Sequence, residues 1–249
     1  MKDVSFIVKS FERPYCTKVL VDSIRKFYPK NKIIIADDSE TPVPIQGPNV
    51  TWFDLPHDSG VSKGRNELIK RVKTKYFVLL DDDFIFTDKT KIEYFVSIME
   101  NTNLDICAGD IYDEHTQTLI DDHAYYSFLD NSLHMSKVPF NGSKTFIMCH
   151  HVPNFFIAKT SSMIKVNGWD QDMKVAESYD FFIRCFNNDF NIAYTPHVRI
   201  NHVHVQYDKD LHKQYRNRGR QFIDLTMFKH NLKSIHFTNN LYTTFKPFN

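Results

Sequence analysis

The sequence has no run of about 20 consecutive apolar residues, the length that a helix needs to cross a membrane. Its first apolar segment, residues 4–8, is too short for the core of a signal peptide, and no small-residue cleavage site follows it. The 4 cysteines are scattered and form no CxxC pair, so zinc ligation has no support and a reducing compartment is expected. We therefore predict a cytoplasmic protein.

An excess of charge of one sign is also missing. The chain has 31 Lys and Arg residues against 30 Asp and Glu residues, a net charge of +1. Such a chain is not a general binder of nucleic acid, so any attraction to anions must be local. Internal repeats and low-complexity tracts are absent too. The composition, 42% hydrophobic and 24% charged, is that of a globular protein whose 249 residues suit one α/β domain.

Short apolar segments alternate with segments of helical periodicity in the first half of the chain. The pattern predicts strands at residues 4–8, 33–36 and 76–80, each followed by a helix. The predicted helices are at residues 15–28, 62–72 and 89–100. In the first helix Val19, Leu20, Ile24 and Phe27 share a face that we expect to be buried. This alternation predicts a parallel, doubly wound sheet with helices on its faces.

The second half is less regular. Residues 110–136 are polar and aromatic and show no strong element, so loops or meandering strands are expected there. A helix is predicted at 178–186, with two strands at 192–194 and 198–203. From residue 208 onward we predict a helix whose basic side chains could face solvent, contact a diphosphate or lie on an anionic membrane: Lys213, Arg216, Arg218 and Arg220.

Polar residues follow three of the predicted strands: Lys9, Asp38 and the run 81–83, which is Asp-Asp-Asp. Ligands of doubly wound sheets bind beyond the carboxyl ends of the strands, so a site is expected at this edge. Adjacent aspartates repel, and a hard divalent cation is a common compensation. Because side chains alternate along a strand, Asp81 and Asp83 should point to the same side, with Asp82 opposite. A solvated turn is the alternative, but apolar residues on both sides of the run favour a metal site.

Several motifs resemble those of the inverting glycosyltransferase family 2. Residues 4–14, with Lys-Ser-Phe-Glu-Arg at 9–13, are similar to an opening strand that ends in a Thr-x-Tyr/Phe-Asn-Arg-like turn; Lys9 stands where many members have threonine. Ala-Asp-Asp-Ser at 36–39 resembles the second strand of that family. Gly-Val-Ser-Lys-Gly-Arg-Asn at 60–66 resembles its Gly-x-x-x-Ala-Arg-Asn helix start, and residues 76–83 resemble its strand with a DxD motif.

More narrowly, several runs are similar to the ganglioside-type β-1,4-N-acetylgalactosaminyltransferase group and its bacterial relatives. These runs are 9–13, 23–29, 35–39, 73–87, 154–160 and 168–170. The resemblance implies a GT-A fold, with a Rossmann-like, mostly parallel central sheet flanked by helices. It divides the chain into a glycosyltransferase domain at 1–205, with a nucleotide-binding half (1–105) and an acceptor half (106–205), and a basic helical extension at 206–249.

The resemblance also implies an activity and its partners. A hexose or N-acetylhexosamine, with GalNAc as first choice, would move from a UDP-sugar to a hydroxyl of an oligosaccharide or glycolipid, with Mn²⁺ or Mg²⁺ as cofactor. The turn around Phe11 and Arg13, together with Asp38, would hold the uridine. Arg65 would lie near the phosphates, since the start of a helix favours anions.

For the metal, the resemblance implies Asp83 and His202 as ligands, with His204 on the same side of its strand as a second candidate. Asp81 would contact the sugar or ribose, and Asp82 would support its neighbours. His150 and His151 could contact acceptor or phosphate or have a structural role. Trp169 could stack on an acceptor sugar or fill the core.

Inversion requires a base that takes the proton of the acceptor hydroxyl. Many family members read Glu-Asp-x-Asp-Leu-x-x-Arg where this chain has Ser178 in place of the second acidic residue. Glu177 and Asp180 remain as candidates. At a spacing of i, i+3 they share a helix face, so both could face one cleft; either could instead stabilise the helix N-terminus. We prefer Glu177.

Two other enzyme classes also use aspartates on α/β sheets. A nucleotidyltransferase, or another metal-dependent nucleotide-sugar enzyme, is the alternative, but a nucleotidyltransferase needs a glycine-rich N-terminal loop that residues 9–13 do not supply. A phosphatase of the haloacid dehalogenase type needs its DxD motif on the first strand, whereas here the motif follows the third predicted strand.

Overall fold

The computed structural model describes residues 1–137, 139–140, 142, 144–203, 213–215, 217–237 and 244–245. The elements in chain order are β1 (Val4–Ser10), α1 (Pro14–Phe27), β2 (Lys32–Asp37), β3 (Val50–Asp54), α2 (Val61–Ile69), β4 (Tyr76–Asp81), β5 (Phe84–Ile85), α3 (Ile92–Glu100), β6 (Ile106–Asp113), β7 (Thr118–Leu119), β8 (Ala124–Leu129), β9 (Ser132–Lys137), β10 (Ile147–Cys149), β11 (Phe156–Lys159), α4 (Thr160–Lys165), α5 (Glu177–Asn187), β12 (Ile192–His202), α6 (Gly219–Lys229), β13 (Ser234–Phe237) and β14 (Thr244–Phe245).

The described residues form a central sheet of 10 strands with the main order β10-β12-β6-β11-β4-β1-β2-β3. Strand β1 lies between β2 and β4 and is parallel to both, and β3 extends this part in parallel beside β2. The parallel half is the one that the alternating pattern predicted. Strand β11 runs antiparallel between β4 and β6, so the sheet as a whole is mixed.

The two faces of the sheet carry separate apolar cores because side chains alternate along each strand. On β1, Phe6 and Val8 pack with residues of α1 and α3. Ile7 points to the opposite face, where the core includes residues of α2, α4, α5 and α6. Strand β4 is buried from Tyr76 to Leu80, as its continuous apolar run predicted.

Helix α1 buries a somewhat different face from the predicted one. Leu20 and Ile24 are buried, but Phe27 is 42% exposed, so that part of the prediction is wrong. Tyr28 takes the buried position beyond the helix end. Its hydroxyl donates to the carbonyl oxygen of Thr90 at 3.0 Å and accepts from the amide of Ile92 at 2.9 Å. These bonds tie the end of α1 to the start of α3.

Strand β6 is the main element that the sequence did not reveal. Residues 110–136, where we expected loops or meandering strands, contribute the end of β6, all of β7 and β8 and most of β9. Asp110 interrupts the apolar pattern, so the sequence does not indicate a buried strand here. Its carboxylate accepts hydrogen bonds from Arg199 at 2.9 Å and from the Tyr194 hydroxyl. The two strands predicted at 192–194 and 198–203 are one strand, β12, whose pairing with β6 shifts register after Tyr194.

The last described elements pack onto the rest of the chain. Strand β13 pairs in parallel with β9 in a second sheet of four strands. Helix α6 lies against α5, and the Lys229 ammonium contacts the carboxylate of Asp170 at 2.6 Å. Of the predicted basic helix, residues 208–212 and Arg216 lie outside the described residues. Within the described ranges, no helix combines the length and apolar character needed to cross a membrane.

We predict that Gly109→Ala lowers the free energy of unfolding by roughly 1–3 kcal/mol, the usual cost of overpacking a core. A Cβ at Gly109 would lie 2.4 Å from the backbone oxygen of Val198 and 2.9 Å from the rings of Phe95 and Phe155. Urea denaturation measures the change. Gly219→Ala is the matched control because a Cβ there meets no atom within 4 Å, and alanine favours helix α6. Equal stability of the two variants would contradict the packing described for β6.

Candidate active site

A cavity of about 510 Å³ opens at the carboxyl ends of β1, β2 and β4. Its lining is rich in charge of both signs. The acidic members are Asp38, Asp58, Asp81, Asp82, Asp83 and Glu177, and the basic members are Lys9, Arg13, Arg65, Lys174, His202 and Arg218. Phe11, Phe84, Ile111, Ile120 and Tyr215 supply aromatic and apolar surface.

The register of the parallel strands brings the first of these residues together. Lys9 is the Cα partner of Asp81 between β1 and β4, and Ser10 is the partner of Asp37 between β1 and β2. The side chain of Lys9 forms an ion pair with Asp38. Burial lowers the pKa of Lys9, although the charge of Asp38 opposes that shift. The edge predicted from the three strand ends is therefore one continuous site.

Arg13 lies against the acidic run. One guanidinium nitrogen contacts Asp83 at 2.6 Å and the other forms an ion pair with Asp82. We expected Arg13 beside Phe11 and Asp38 at the uridine; the structure instead pairs it with the two buried carboxylates, which need a positive charge. Asp82 is only 1% exposed, and despite the ion pair neither of its carboxylate oxygens accepts a well-formed hydrogen bond within the described part of the chain.

Asp82 and Asp83 differ in the direction in which their pKa values are shifted. Burial raises the pKa of Asp82 to about 7, with Arg13 opposing the shift. Burial would also raise the pKa of Asp83, but the hydrogen bond from His202 and the charge of Arg13 outweigh it and hold that pKa below its ordinary value. The hydrogen bond to Asp83 in turn raises the pKa of His202 to about 9.

His202 stands at the end of β12 and bridges two carboxylates. Its Nε2 lies 3.2 Å from Asp83, and its Nδ1 lies 2.9 Å from Asp113. The structure thus brings both predicted metal ligands, Asp83 and His202, into contact. Among the described side chains, no three His, Cys, Asp or Glu residues are arranged so that they could hold a metal ion by themselves. His204 lies outside the described residues.

Arg65 joins the acidic run to helix α5. It is 3% exposed, and its two terminal nitrogens contact Glu177 at 2.5 Å and Asp81 at 3.3 Å. Glu177 is the first residue of α5, where the left-handed Ala176, with φ of 55°, turns the chain into the helix. Of the three aspartates Asp81 has the most exposed side chain, at 38%, so it presents the most open carboxylate to the cavity.

Asp180 does not face this cavity. Its carboxylate accepts from Arg184 at 2.8 Å, four residues along α5, and contacts the His230 ring at 2.9 Å at the end of α6. The prediction that Glu177 and Asp180 look into one cleft is therefore wrong. Arg184 and the His230 ring hold Asp180 at the contact between α5 and α6, whereas Glu177, one turn earlier, reaches the cavity edge.

The segment before α6 covers one end of the cavity. Arg218 makes two hydrogen bonds of 2.8 Å to the carboxylate of Asp58, which also binds Lys174 at 2.9 Å. The Tyr215 ring meets Phe11 edge to face, with 4.6 Å between the centroids. The sequence signalled none of these contacts, because the partners of Asp58 are 116 and 160 residues away.

Two other predicted basic residues that the structure describes do not line the cavity. Lys213 is exposed, and Arg220 pairs with Asp224 four residues later. Among the described members of that set, Arg218 is thus the one that lines the cavity.

Three further aromatic candidates, Trp169, His150 and His151, do not line the cavity. Trp169 is 2% exposed and stacks on Phe181 with 4.7 Å between ring centroids, so it fills the core. His151 is 1% exposed and contacts the Tyr126 hydroxyl at 2.6 Å, while His150 accepts from the Tyr126 amide at 2.9 Å. Neither histidine lines the cavity, which favours the structural role for both.

We predict that Asp58→Asn destabilises the protein at neutral pH and much less in acid. The hydrogen bonds from Arg218 lower the pKa of Asp58 from 3.8 to about 2. The carboxylate therefore stabilises the fold above pH 4, by less than about 2 kcal/mol because solvent screens a partly exposed ion pair, and this contribution is lost as the pH falls through 2. Chemical denaturation at several pH values measures the difference from wild type. Asp22→Asn is the control, since its pair with Lys18 is exposed; a pH-independent effect of Asp58→Asn would contradict the assignment.

Comparison with known proteins identifies the family to which the chain belongs. The family model for Glycosyl transferase family 2 matches residues 5–156. Beta-1,4 N-acetylgalactosaminyltransferase 2 of Mus musculus is 34% identical over 248 residues, which cover 96% of this chain and 47% of that protein. Beta-1,4 N-acetylgalactosaminyltransferase 1 of Homo sapiens is 32% identical over 191 residues, covering 72% of this chain and 35% of that protein. The chain thus spans half or less of the length of these relatives.

Solved structures show the same fold. GalNAc-T7 with UDP, GalNAc and Mn²⁺ has a TM-score of 0.64 at 13% identity and covers 93% of this chain and 55% of that one. TarS 1-349 of S. aureus in complex with UDP-GlcNAc has a TM-score of 0.64 at 14% identity, covering 93% and 68%. The predicted GT-A fold and the resemblance to β-1,4-N-acetylgalactosaminyltransferases are confirmed. The chain belongs to glycosyltransferase family 2.

Proposed function

We propose that the protein is a metal-dependent, inverting glycosyltransferase that moves a hexose or N-acetylhexosamine from a UDP-sugar to a hydroxyl group of a glycan. The observation that carries this proposal is the pairing of the acidic run at the end of β4 with Glu177 across one cavity, through Arg65. This arrangement puts the proposed site for the metal ion and the anionic donor beside a carboxylate that could act as base.

The uridine end of the donor fits the part of the cavity formed by Phe11 and Asp38. The Phe11 ring lines the cavity and offers a face for a base, and the buried Asp38 offers a carboxylate as acceptor. Tyr215 closes this end against Phe11. Arg218 and Lys174 also line the cavity and would add positive charge near the diphosphate.

The residues of the acidic run fit a divalent cation. Asp82 has buried carboxylate oxygens without well-formed hydrogen bonds, and Asp83 and His202 are already in contact. Mn²⁺ or Mg²⁺ in nucleotide sites is usually held by one or two carboxylates together with substrate phosphates, which agrees with a protein donor set that is incomplete alone. We propose Asp83 and His202 as its ligands. When bound, the cation would neutralise charge on the departing diphosphate.

Glu177 is the proposed base. It would accept the proton of the acceptor hydroxyl while that oxygen bonds to the anomeric carbon and the bond from carbon to the diphosphate oxygen breaks on the opposite face. Attack from the opposite face inverts the anomeric configuration. Arg65, which holds Glu177 at 2.5 Å, would orient the carboxylate.

GalNAc is our first choice of sugar because the curated relatives are named β-1,4 N-acetylgalactosaminyltransferases. A panel of UDP-sugars, tested for UDP release with Mn²⁺ and glycan acceptors, checks the proposal. We expect release to depend on both metal and acceptor and to be fastest with UDP-GalNAc. Hydrolysis of a generic aryl phosphate without any transfer to glycans would overturn it. The acceptor class, a cytoplasmic location and a membrane contact of the basic tail remain predictions.

Asp83→Ala is expected to abolish UDP binding that depends on Mn²⁺, because it removes a proposed ligand from the acidic run. Isothermal titration of UDP with and without Mn²⁺ measures this dependence. Asp88→Ala, at an exposed position five residues further along the chain, is the control and should bind as wild type does. Unchanged titration of the Asp83 variant would refute the ligand assignment.

Glu177→Gln is expected to lower kcat by roughly 10²–10⁴-fold, the usual contribution of a general base. The amide keeps the size of the side chain, so affinity for UDP should be retained. Initial rates of UDP release, together with titration of UDP, separate the two effects. Asp180→Asn serves as the comparison: if it loses kcat and Glu177→Gln does not, the base has been assigned to the wrong residue.

A further inference from the structure

Lys9 is a buried cation at the end of the cavity that we assign to the uridine. Its side chain is 7% exposed, and that of its partner Asp38 is 1% exposed. The ammonium also donates to the carbonyl oxygen of Ser10 at 3.0 Å, and it lies 5.0 Å from the centroid of the Phe11 ring. An ammonium, a carboxylate and an aromatic face therefore meet at one place in the lining.

Gly64 makes the room that Lys9 occupies. A Cβ on Gly64, in the middle of α2, would lie 2.6 Å from Cγ and 3.0 Å from Cε of Lys9. Glycine is a poor helix former, so its place inside α2 needs a reason, and the lysine stem supplies one. The two motifs quoted for the family have threonine at the position of Lys9 and alanine at that of Gly64. The Lys9 side chain occupies the space that an alanine Cβ at position 64 would fill, which indicates that the two departures from the motifs are coupled.

The same contacts fix the orientation of Asp38. One carboxylate oxygen takes the Lys9 ammonium, and the other accepts from the amide of Gly60 at 2.8 Å. Gly60 has a φ of +89°, and a Cβ there would lie 2.7 Å from Cα of Lys174, so the backbone donor is held in place. Asp38 is thus presented to the cavity as a fixed acceptor with a donor, Lys9, beside it.

We propose that Lys9 is a specificity-determining residue that donates a hydrogen bond to a carbonyl oxygen of the uracil base. The adjacent N3–H group of the base donates a hydrogen bond to Asp38. The inference rests on the proposed function, since it names how that site reads the base of its donor. With the base against Phe11, an acceptor and an adjacent donor match the N3–H and a flanking carbonyl of uracil.

The same pair disfavours cytosine. Cytosine has an acceptor at N3, which would face the carboxylate of Asp38 without a proton between them. If Lys9 addresses position 4, cytosine also places an amino donor against the ammonium. Unpaired polar groups in a buried site cost more than a missing contact. We therefore expect wild-type protein to prefer UDP to CDP.

Titration of wild type and Lys9→Met with UDP, 2-thio-UDP, 4-thio-UDP and pyrophosphate, all with Mn²⁺, tests the proposal. Sulfur is a weaker acceptor than oxygen, so the thio compound altered at the contacted position should lose affinity for wild type but not for the variant. For UDP we expect Lys9→Met to raise Kd by about 10-fold or more, as for a hydrogen bond to a charged group. Pyrophosphate lacks the base and should bind both proteins equally.

Two further variants test whether a loss of UDP binding in Lys9→Met has a cause other than unfolding. Lys70→Met, at an exposed position just after α2, should bind all four compounds as wild type does. Gly64→Ala, which displaces the Lys9 stem but keeps the ammonium, should weaken UDP and leave pyrophosphate unchanged. Thermal melting of each variant confirms folding.

The outcomes separate the two proposals. If wild type binds UDP but Lys9→Met loses equal affinity for UDP and both thio compounds, Lys9 only supports Asp38 and the inference fails while the proposed function stands. The same holds if Lys9→Met binds UDP as wild type does. If wild type binds pyrophosphate and Mn²⁺ but shows no gain from the uridine, both proposals fail.

Discussion

Charge balance at one edge of the sheet is the constraint on which this structure depends. Carboxylates gather where β1, β2 and β4 end, and burial makes an uncompensated negative charge there costly. Lys9, Arg13, Arg65 and Arg218 each pair with carboxylates that line the cavity. The site is therefore an ionic network in which each of the six acidic groups of the lining has a cation beside it.

That network also connects segments that are distant in the sequence. Arg65 of α2 holds Glu177 of α5 across 112 residues, and Arg13 holds Asp83 across 70. His202 brings the end of β12 to the acidic run, and Arg218 ties the segment before α6 to Asp58. A donor diphosphate and a cation would enter a network of this kind by exchanging partners with it, since they supply charges of both signs.

The parallel half of the fold could be predicted because its signals are local. Apolar runs ending in polar residues and helices of ordinary periodicity fix β1, β2 and β4 and place Lys9, Asp38 and the acidic run at one edge. Strand β6 could not be predicted in this way: Asp110 reads as exposed, and its partners Tyr194 and Arg199 are 84 and 89 residues away. For the same reason Asp180 looked like a second cleft residue, although His230, 50 residues later, draws it to the contact with α6.

Electron paramagnetic resonance of Mn²⁺ shows whether the acidic run completes a metal site only together with a nucleotide diphosphate. Mn²⁺ is titrated into the protein with and without UDP, and into UDP alone, and the signal of the free ion is followed. We expect protein and UDP together to deplete free Mn²⁺ far more than either does alone. Either of two results would contradict this expectation. The protein could deplete free Mn²⁺ equally with and without UDP, or protein and UDP together could deplete no more Mn²⁺ than UDP alone.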